Sequence, residues 1–409
     1  MPSEEQLKVS AKLFWNVQFI YELELAKKEL EAFNIRYKLK NNLRDIDITF
    51  LPDGTEFLDR AAYFEELGGK LSLYSKITKA NVTKSLNQYL THWIYPYKGK
   101  YHPQMIRALL NIMRIQPGKT ILDPFVGSGT TAVEAQLLGI NCKCIDISEV
   151  CTRVTQVKTK AHENLENIIT IFERDFIDLK KKVQQNALNE EEINKIESKI
   201  EKIKDSNVYN FFKVASLIAH SDRARRKKKS FTASFLKNVE KMILSLKDYQ
   251  KIISEYNLKL GSVSIEKGDA KQLQLPPNSI DGIICSPPYS IALNYVENDK
   301  HALDALGFDT NVIKEEFIGV RGTGKTKIDL YNQDLIQSYK EMDRVLKTGK
   351  YCSIVIGNAT VDKKEVKTVE YTIDVFQNMG YTLEENIDKI IFGLYNVMQK
   401  ENILVFKKP

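Results

Sequence analysis

The sequence predicts an α/β protein with a doubly wound, mostly parallel sheet, and two stretches support this prediction. The first, Thr120 to Asp146, contains a short apolar run, a glycine-bearing loop, a helix-forming stretch and a second strand that ends at an acid. The second, Ile280 to Cys285, is a mostly apolar run, typical of a strand buried in a parallel sheet. Because open α/β sheets bind ligands at the carboxyl ends of their strands, we expect a ligand site where these two stretches end.

The composition is that of a folded protein with a basic balance. The 409 residues suffice for two or three domains, and 43% apolar residues suffice for hydrophobic cores. The net charge of +7 suits a polyanionic partner without requiring one. The five cysteines form no CxxC pair and His is scarce, so we expect neither a metal site nor disulfides. With no long apolar run and no signal-peptide pattern, we expect a soluble cytoplasmic protein.

Residues 1–90 are expected to form a mostly helical N-terminal extension. Leu13 to Phe33 has the composition of an amphipathic helix, and turns are expected at Pro52-Asp53-Gly54 and at Gly68-Gly69. The favoured interpretation is a helical layer that covers one side of the next domain. Contact with DNA is the alternative.

Tyr95 to Met105 is rich in aromatic residues and also carries Lys98 and Lys100. Pro103 suits the first turn of a helix. Because this segment leads directly into the glycine-bearing loop, we expect it to form a wall of the ligand site. A surface turn before a packed helix is the alternative.

The glycine-bearing loop runs from Pro124 to Thr131. Gly127 and Gly129 let the backbone approach a ligand closely, and Asp146 is placed to accept hydrogen bonds from ribose hydroxyls. The loop also fits the dinucleotide pattern G-x-G-x-x-A with an acid about 20 residues further on. A nicotinamide-dependent dehydrogenase is therefore an alternative, although it leaves Ser286 to Tyr289 unexplained.

Residues 151–260 are expected to form a helical insertion, because neither glycine nor proline occurs between Ile140 and Leu260. The insertion contains the densest run of positive charge in the chain, formed by Arg223, Arg225, Arg226, Lys227, Lys228 and Lys229. Such a run is a candidate for phosphate contacts, so the insertion is a candidate target-recognition region. A solvated helix end is the alternative.

Further strands are expected after the insertion. The pattern predicts single strands over Ser262 to Lys267 and Lys350 to Ile356. It also predicts a closing pair of strands, formed by Ile390 to Phe392 and Asn402 to Phe406. Gly319 to Thr326 matches the P-loop pattern, which needs a buried strand before it and a helix after it. Lys314-Glu-Glu-Phe precedes it and Lys327-Ile-Asp-Leu follows it, so we do not expect it to bind nucleotide triphosphates. A basic, glycine-rich loop close to the substrate is the better interpretation.

Ser286-Pro-Pro-Tyr289 follows the Ile280 to Cys285 strand, and its two prolines force the chain out of the sheet in a fixed shape. An exocyclic amine on a base is a poor nucleophile, because its lone pair is delocalised into the ring. Hydrogen bonds from its N–H groups to Ser286 Oγ and to the Pro287 carbonyl would free that lone pair. Tyr289 offers a face on which a flipped base can stack.

Together these motifs resemble the S-adenosylmethionine-dependent amino-methyltransferases that modify cytosine N4 or adenine N6 in DNA. The resemblance covers about residues 91–150 and 261–409, which it identifies as the catalytic domain, and implies a class I methyltransferase sheet of seven strands with one antiparallel strand. It implies a catalytic role for Ser286, Pro287, Pro288 and Tyr289. It implies that the residues contacting S-adenosylmethionine are Tyr101, His102, Pro103, Asp123, Pro124, Phe125, Gly127, Ser128, Gly129, Thr130, Thr131, Asp146, Ile147, Asp269 and Ala270.

The resemblance implies a site-specific methyltransferase for double-stranded DNA, associated with the nucleoid, with a cognate restriction endonuclease as a further candidate partner. Serine before Pro-Pro-Tyr favours cytosine N4, since aspartate is commoner in the adenine enzymes. N6-adenine DNA methylation, RNA guanine-N2 methylation and a DNA-binding protein with an α/β scaffold are the alternatives. Cytosine C5 chemistry is not expected, because it requires a cysteine after a proline and no Pro-Cys occurs.

Overall fold

The computed structural model describes residues 9–40, 42–79, 85–180, 190–225, 230–288, 295–322, 324–361, 364–392 and 398–409. Its strands are β1 Val9–Leu13, β2 Arg36–Leu39, β3 Asp45–Phe50, β4 Phe64–Leu67, β5 Lys70–Leu71, β6 Thr120–Asp123, β7 Asn141–Asp146, β8 Val263–Lys267, β9 Ile280–Cys285, β10 Leu346–Ile356, β11 Ala359–Val361, β12 Lys364–Val366, β13 Thr382–Phe392 and β14 Met398–Lys407.

The α-helices in these described ranges are α1 Ile20–Ala32, α2 Gly54–Arg60, α3 Leu73–Lys79, α4 Pro103–Ile112, α5 Thr130–Leu137, α6 Glu149–Lys160, α7 Leu165–Ile171, α8 Glu190–Ile200, α9 Ser206–Arg225, α10 Phe231–Glu255, α11 Tyr295–Asn298, α12 Lys300–Ala305, α13 Thr310–Lys314, α14 Gly324–Val345 and α15 Thr368–Asn378. None of these helices combines the length and the apolar character needed to cross a bilayer.

A seven-stranded sheet in the order β8-β7-β6-β9-β10-β14-β13 forms the centre of the molecule. Strands β6 to β10 pair in parallel, whereas β14 runs antiparallel to both β10 and β13. From β6 the chain continues to β7 and β8 on one side of the sheet, whereas from β9 it continues to β10 on the other side. The connections after β6 and β9 therefore run in opposite directions and leave a crevice at the carboxyl ends of these two strands. This order confirms the predicted doubly wound, mostly parallel sheet and its antiparallel closing hairpin.

The sheet is buried where the site requires rigidity. Every residue of β9 is buried, and so are Ile121, Leu122 and Asp123 of β6. Strands covered by helices on both faces read as apolar runs in the sequence, which is why the bounds of β9 could be predicted. The loops that follow β6 and β9 therefore start from fixed points.

The prediction of a mostly helical N-terminal extension is wrong. Five short strands form an antiparallel sheet in the order β2-β3-β1-β4-β5, with α1 to α3 beside it. The predicted helix from Leu13 begins only at Ile20, because Val9–Leu13 is a strand that pairs with both β3 and β4. Pairing between strands distant in sequence overrode the local helical pattern.

The N-terminal unit packs on the domain that contains the seven-stranded sheet, through α1 and α4. Glu29 of α1 is fully buried and accepts hydrogen bonds from Asn111 Nδ2 at 2.7 Å and from the Ala62 amide at 2.8 Å. Burial raises the pKa of Glu29 to about 7, although these donors oppose the rise.

All elements that the structure describes between β7 and β8 are helical, as the absence of glycine and proline predicts. Their core contains the aromatic rings of Phe176, Phe212 and Phe235, with Phe176 stacked on Phe212 at a centroid distance of 5.0 Å. Ile196 and Ile200 of α8 are fully buried. Arg223 is exposed at the end of α9, whereas Arg226 to Lys229 lie outside the described residues.

Candidate active site

A pocket opens at the carboxyl ends of β6, β7 and β9, where the sequence predicted a ligand site. It is lined by Tyr97, Gly99, Lys100, Tyr101, Pro124, Phe125, Val126, Gly127, Ser128, Thr130, Asp146, Ile147, Ser148, Cys151, Gly268, Asp269, Ala270, Ser286, Pro288, Asp299, Leu303, Glu316, Phe317 and Ile318. The glycine loop, the Tyr95 to Met105 segment and the Ser286 turn therefore share one pocket.

The glycine loop is held against the end of β7 by its own backbone. The Val126 amide donates to the Ile145 carbonyl at 3.1 Å, and the Gly127 amide donates to Asp146 Oδ2 at 2.8 Å. Gly129 adopts φ +78 at the start of α5, and a Cβ there would lie 2.8 Å from Thr155 Oγ1. Glycine is required here by both backbone conformation and close packing.

Asp146 is oriented by two backbone amides, one on each carboxylate oxygen. Oδ1 accepts from the Ser148 amide at 2.9 Å, and Oδ2 accepts from Gly127 as described above. Burial raises the pKa of Asp146 to about 6, the two amides oppose the rise, and the nearby charge of Asp299 adds to it. Each oxygen retains a second lone pair, so the carboxylate can accept hydrogen bonds from a ligand.

Lysine side chains support the loop from behind. Lys158 of α6 is fully buried, and its Nζ donates to the Ser128 carbonyl at 2.6 Å and to the His92 carbonyl at 3.3 Å. Lys100 also donates to the His92 carbonyl while it lines the pocket. Burial lowers the pKa of Lys100 to about 8. Burial also lowers the pKa of Lys158 well below its ordinary value, and the charge of Lys100 adds to this effect.

Several predicted residues do not line the pocket. His102, Pro103, Asp123, Gly129, Thr131 and Pro287 do not line it. His102 and Pro103 begin α4, and burial lowers the pKa of His102 to about 4. Asp123 is fully buried and its Oδ1 accepts from the Phe125 amide at 3.1 Å, while burial raises its pKa to about 7. Each of these residues lies within two positions of a residue that lines the pocket.

The remaining predicted residues fall into two groups. Tyr101, Pro124, Phe125, Gly127, Ser128, Thr130, Asp146, Ile147, Asp269, Ala270, Ser286 and Pro288 line the pocket. Tyr289, predicted to stack on a base, lies outside the described residues, as do four of the six predicted DNA-contacting residues. Of the other two, Arg223 is exposed and Arg225 ends α9.

Sequence reasoning missed the wall formed by Asp299, Leu303, Phe317 and Ile318. This wall combines the start of α12 with the turn that follows α13, and neither carries a recognisable local motif. The P-loop-like segment begins directly after it and is preceded, within the described part of the chain, by a helix and a turn. Arg321 in that segment pairs with Asp334 of α14 at 2.6 Å.

The pocket suits a nucleoside-containing cofactor. Gly127 leaves room that a Cβ would fill, since that atom would lie 3.1 Å from the Tyr97 ring. Ile147, Leu303 and Phe317 offer apolar surface for a base, and Asp146 offers acceptors for hydroxyl groups. The residues present therefore fit S-adenosylmethionine.

The sheet order and this pocket are those of a class I methyltransferase fold. Residues 95–218 match the profile of a methyltransferase domain described as UPF0020, RMKL-like. This match confirms the predicted resemblance to methyltransferases and implies S-adenosylmethionine as the cofactor.

Three curated relatives are similar to parts of the chain. The type II methyltransferase M.MjaII of Methanocaldococcus jannaschii is 30% identical over 43% of this chain and 34% of the relative. The type II methyltransferase M.BsoBI of Geobacillus stearothermophilus is 39% identical over 20% of this chain and 16% of the relative. A tRNA (guanine(10)-N2)-dimethyltransferase of M. jannaschii is 29% identical over 25% of this chain and 28% of the relative. The matched stretches thus span about a third of these relatives or less.

Proposed function

We propose that this protein methylates the exocyclic amino group of a nucleic-acid base, with N4 of a flipped cytosine in duplex DNA as the target. The observation that carries the proposal is a shared pocket wall. Ser286 and Pro288, at the end of β9, line the same pocket as Gly127 and Asp146. An amine held at Ser286 would therefore lie beside the cofactor.

The residues of the chain contribute orientation and polarisation. S-adenosylmethionine supplies an activated methyl group. Asp146 and the apolar wall at Ile147 hold its nucleoside, while Ser286 Oγ accepts a hydrogen bond from the amine. Fixing both partners in line and polarising the nucleophile are effects that preorganised sites provide.

The preference for cytosine rests on the hydroxyl of Ser286. A hydroxyl accepts a hydrogen bond from the amine and donates one to the adjacent ring nitrogen, which a carboxylate would repel. Adenine N1 lies in a similar position to cytosine N3, so N6-adenine methylation is retained as an outcome of the test. Two of the relatives named above are type II methyltransferases, which supports DNA as the substrate.

A second candidate is methylation of guanine N2 in RNA. It is favoured by the similarity to tRNA (guanine(10)-N2)-dimethyltransferases, of which a second, from Methanothermobacter thermautotrophicus, is 37% identical over 12% of this chain and 15% of the relative. Guanine N2 is also an exocyclic amine, so the same turn at Ser286 would polarise it.

Methyl-labelled S-adenosylmethionine incubated with duplex DNA or with tRNA tests the proposal. The expected result is label in duplex DNA, recovered as N4-methylcytosine after digestion to nucleosides and mass spectrometry. N6-methyladenine alone would contradict the choice of base, and label confined to tRNA would contradict the choice of nucleic acid. Resistance of host DNA to one restriction endonuclease after expression would support such a partner.

A matched serine pair provides the control. Ser286→Ala should lower incorporation. Ser279→Ala should not, because it changes a half-buried serine outside the pocket, whose hydroxyl donates to the Pro276 carbonyl at 2.7 Å. Equal incorporation by Ser286→Ala and wild type would remove Ser286 from the proposed mechanism.

A further inference from the structure

Asp299 stands where an aspartate ordinarily caps a helix. It immediately precedes α12, and its backbone carbonyl accepts from the Ala302 amide at 2.8 Å and from the Leu303 amide at 2.9 Å. Its side chain, however, makes no capping hydrogen bond. Side chains of Asp, Asn, Ser and Thr at this position normally accept from the amides of the first turn, which stabilises the helix.

Other aspartates in this chain do cap. Asp309 accepts from the Asn311 amide at 2.8 Å at the start of α13, and Asp53 accepts from the Thr55 and Glu56 amides at the start of α2. Asp205 likewise accepts from the Asn207 amide at 2.9 Å before α9. The Asp299 side chain is therefore diverted from the role that its position favours.

Tyr95 holds the diverted carboxylate. Its Oη donates to Asp299 Oδ1 at 2.7 Å, and the two side chains are 2% and 7% exposed. Tyr95 adopts φ +67, in the left-handed region that residues other than glycine rarely occupy. Nearby, Lys98 Nζ donates to Asn298 Oδ1 at 2.6 Å. These two contacts join the Tyr95 to Met105 segment to the start of α12 and fix Asp299 on the pocket wall.

Asp299 shares the pocket with Asp146. Both carboxylates line it, together with the apolar side chains of Ile147, Leu303 and Phe317. The pKa of Asp146, raised mainly by burial, is raised further by the charge of Asp299, so the two acids are close enough to repel each other. A ligand that donates hydrogen bonds to both carboxylates would relieve this repulsion, and the vicinal hydroxyls of a ribose are such donors.

We propose that Asp299, positioned by Tyr95, is a second ribose-binding acid, which accepts a hydrogen bond from one cofactor hydroxyl while Asp146 accepts from the other. This inference rests on the proposed function, because it takes S-adenosylmethionine as the cofactor. Asp299 would contact the cofactor itself, whereas Tyr95 is a positioning residue that acts through it.

Calorimetry with S-adenosylhomocysteine and its 2′-deoxy and 3′-deoxy forms tests the division of hydroxyls. In the wild type, loss of the hydroxyl that Asp299 holds should weaken binding about 10- to 100-fold, the range for a hydrogen bond to a charged group. In Asp299→Asn, S-adenosylhomocysteine should bind weaker by a similar factor. In this variant, removal of the same hydroxyl from the ligand should weaken binding further by less than about threefold, because its hydrogen-bond partner is already lost.

Two further variants keep the test decisive. Tyr95→Phe should show the same selective loss with a smaller magnitude, and it decides the matter if Asp299→Asn does not fold. Asp309→Asn, which changes an aspartate at the start of the neighbouring helix outside the pocket, should bind all three ligands as the wild type does.

The outcomes separate this inference from the proposed function. If Asp299→Asn and Tyr95→Phe weaken all three ligands by one common factor, or leave them unchanged, Asp299 contacts no hydroxyl and the inference is overturned while the proposed function stands. If the wild type binds neither S-adenosylhomocysteine nor S-adenosylmethionine, the proposed function fails and the inference fails with it.

Discussion

Arg107 Nε donates a 2.8 Å hydrogen bond to Glu134 Oε2, and neither side chain is exposed to solvent. The pair joins α4, which begins within the Tyr95 to Met105 segment, to α5, which begins at the end of the glycine loop. Tyr89 Oη and His92 Nε2 also contact Glu134 Oε1. Two walls of the pocket are thus connected through one buried carboxylate.

Glu134→Ala should destabilise the fold by about 3–5 kcal/mol, because it leaves the Arg107 charge buried without a partner. Urea denaturation measures this, and the double variant with Arg107→Met should lose less unfolding free energy than the sum of the two single variants.

Burial opposes ionisation of Glu134, but Arg107 and His92 outweigh it and lower its pKa. The stabilisation is therefore present above the unfolded pKa of about 4.3 and is lost as the pH falls through the lower folded pKa. A cost below about 1 kcal/mol for Glu134→Ala would contradict a structural role for the pair.

Gly129→Ala should be more damaging than Gly118→Ala. The two glycines have almost the same φ, +78 and +79, but a Cβ at Gly118 would meet nothing within 4 Å. Gly118→Ala should therefore cost only the backbone strain of about 1–2 kcal/mol. Gly129→Ala adds a clash with Thr155 of about 1–3 kcal/mol and should also weaken cofactor binding. Thermal denaturation and calorimetry on both variants check this, and equal stability losses would show that the loop can move away from Thr155.

Asp146→Ala should weaken S-adenosylmethionine binding by about 1–3 kcal/mol, the loss expected when hydroxyl groups forfeit a charged acceptor. Because the ionised carboxylate is the better acceptor and its pKa is raised to about 6, mainly by burial, wild-type affinity should fall about tenfold between pH 7.5 and pH 5. Asp299 and Cys151 also face this carboxylate. Asp146→Asn should flatten the pH profile, which calorimetry of S-adenosylhomocysteine binding measures. A profile that persists in Asp146→Asn would assign the titration to another group.

The raised pKa of Asp146 makes folding stability change with pH in the opposite direction from ligand affinity. Its folded pKa of about 6 lies above the unfolded value of about 3.9, so the free protein loses stability from this group as the pH rises through that window. Ligand binding and stability should therefore change in opposite directions with pH, and thermal denaturation without ligand measures the second effect.

Tyr289→Ala should leave cofactor affinity nearly intact while lowering turnover, because its proposed partner is the flipped base. Loss of a stacked base costs about 1–3 kcal/mol, which corresponds to roughly 5- to 150-fold. Calorimetry and initial rates measured on one preparation separate the two effects. A large loss of S-adenosylhomocysteine affinity would place Tyr289 in the cofactor site instead.

Replacement of Arg225, Arg226, Lys227 and Lys228 with Ala should weaken DNA binding and reduce its salt dependence by a few units of slope, because fewer counterions are released. Fluorescence anisotropy across a salt series measures the slope. The matched control replaces Lys38, Lys70, Lys119 and Lys367, four exposed lysines outside the helical insertion, and removes the same charge. An unchanged slope in the first variant would show that the basic run is only a solvated helix end.

Local pattern was sufficient where burial on both faces forces one secondary structure. The predicted β9 agrees with the structure to the residue. Local pattern was not sufficient to predict the N-terminal extension. There Ile46 and Ile48 are buried in a strand of only six residues, and only pairing with β1 and β2 makes that strand stable.

The sequence alone determined several residues that line the candidate pocket, because each such position needs a residue type that few others can replace. Glycine is favoured by φ +51 at Gly127, an acid ends the strand at Asp146, and prolines force the turn after Ser286. Only the tertiary structure decided which side chains share the pocket with these residues. Asp299 lies 153 positions after Asp146, and no local rule places two carboxylates in one pocket across such a distance. Packing of α12 and the hydrogen bond from Tyr95 bring them together, and these depend on the complete fold.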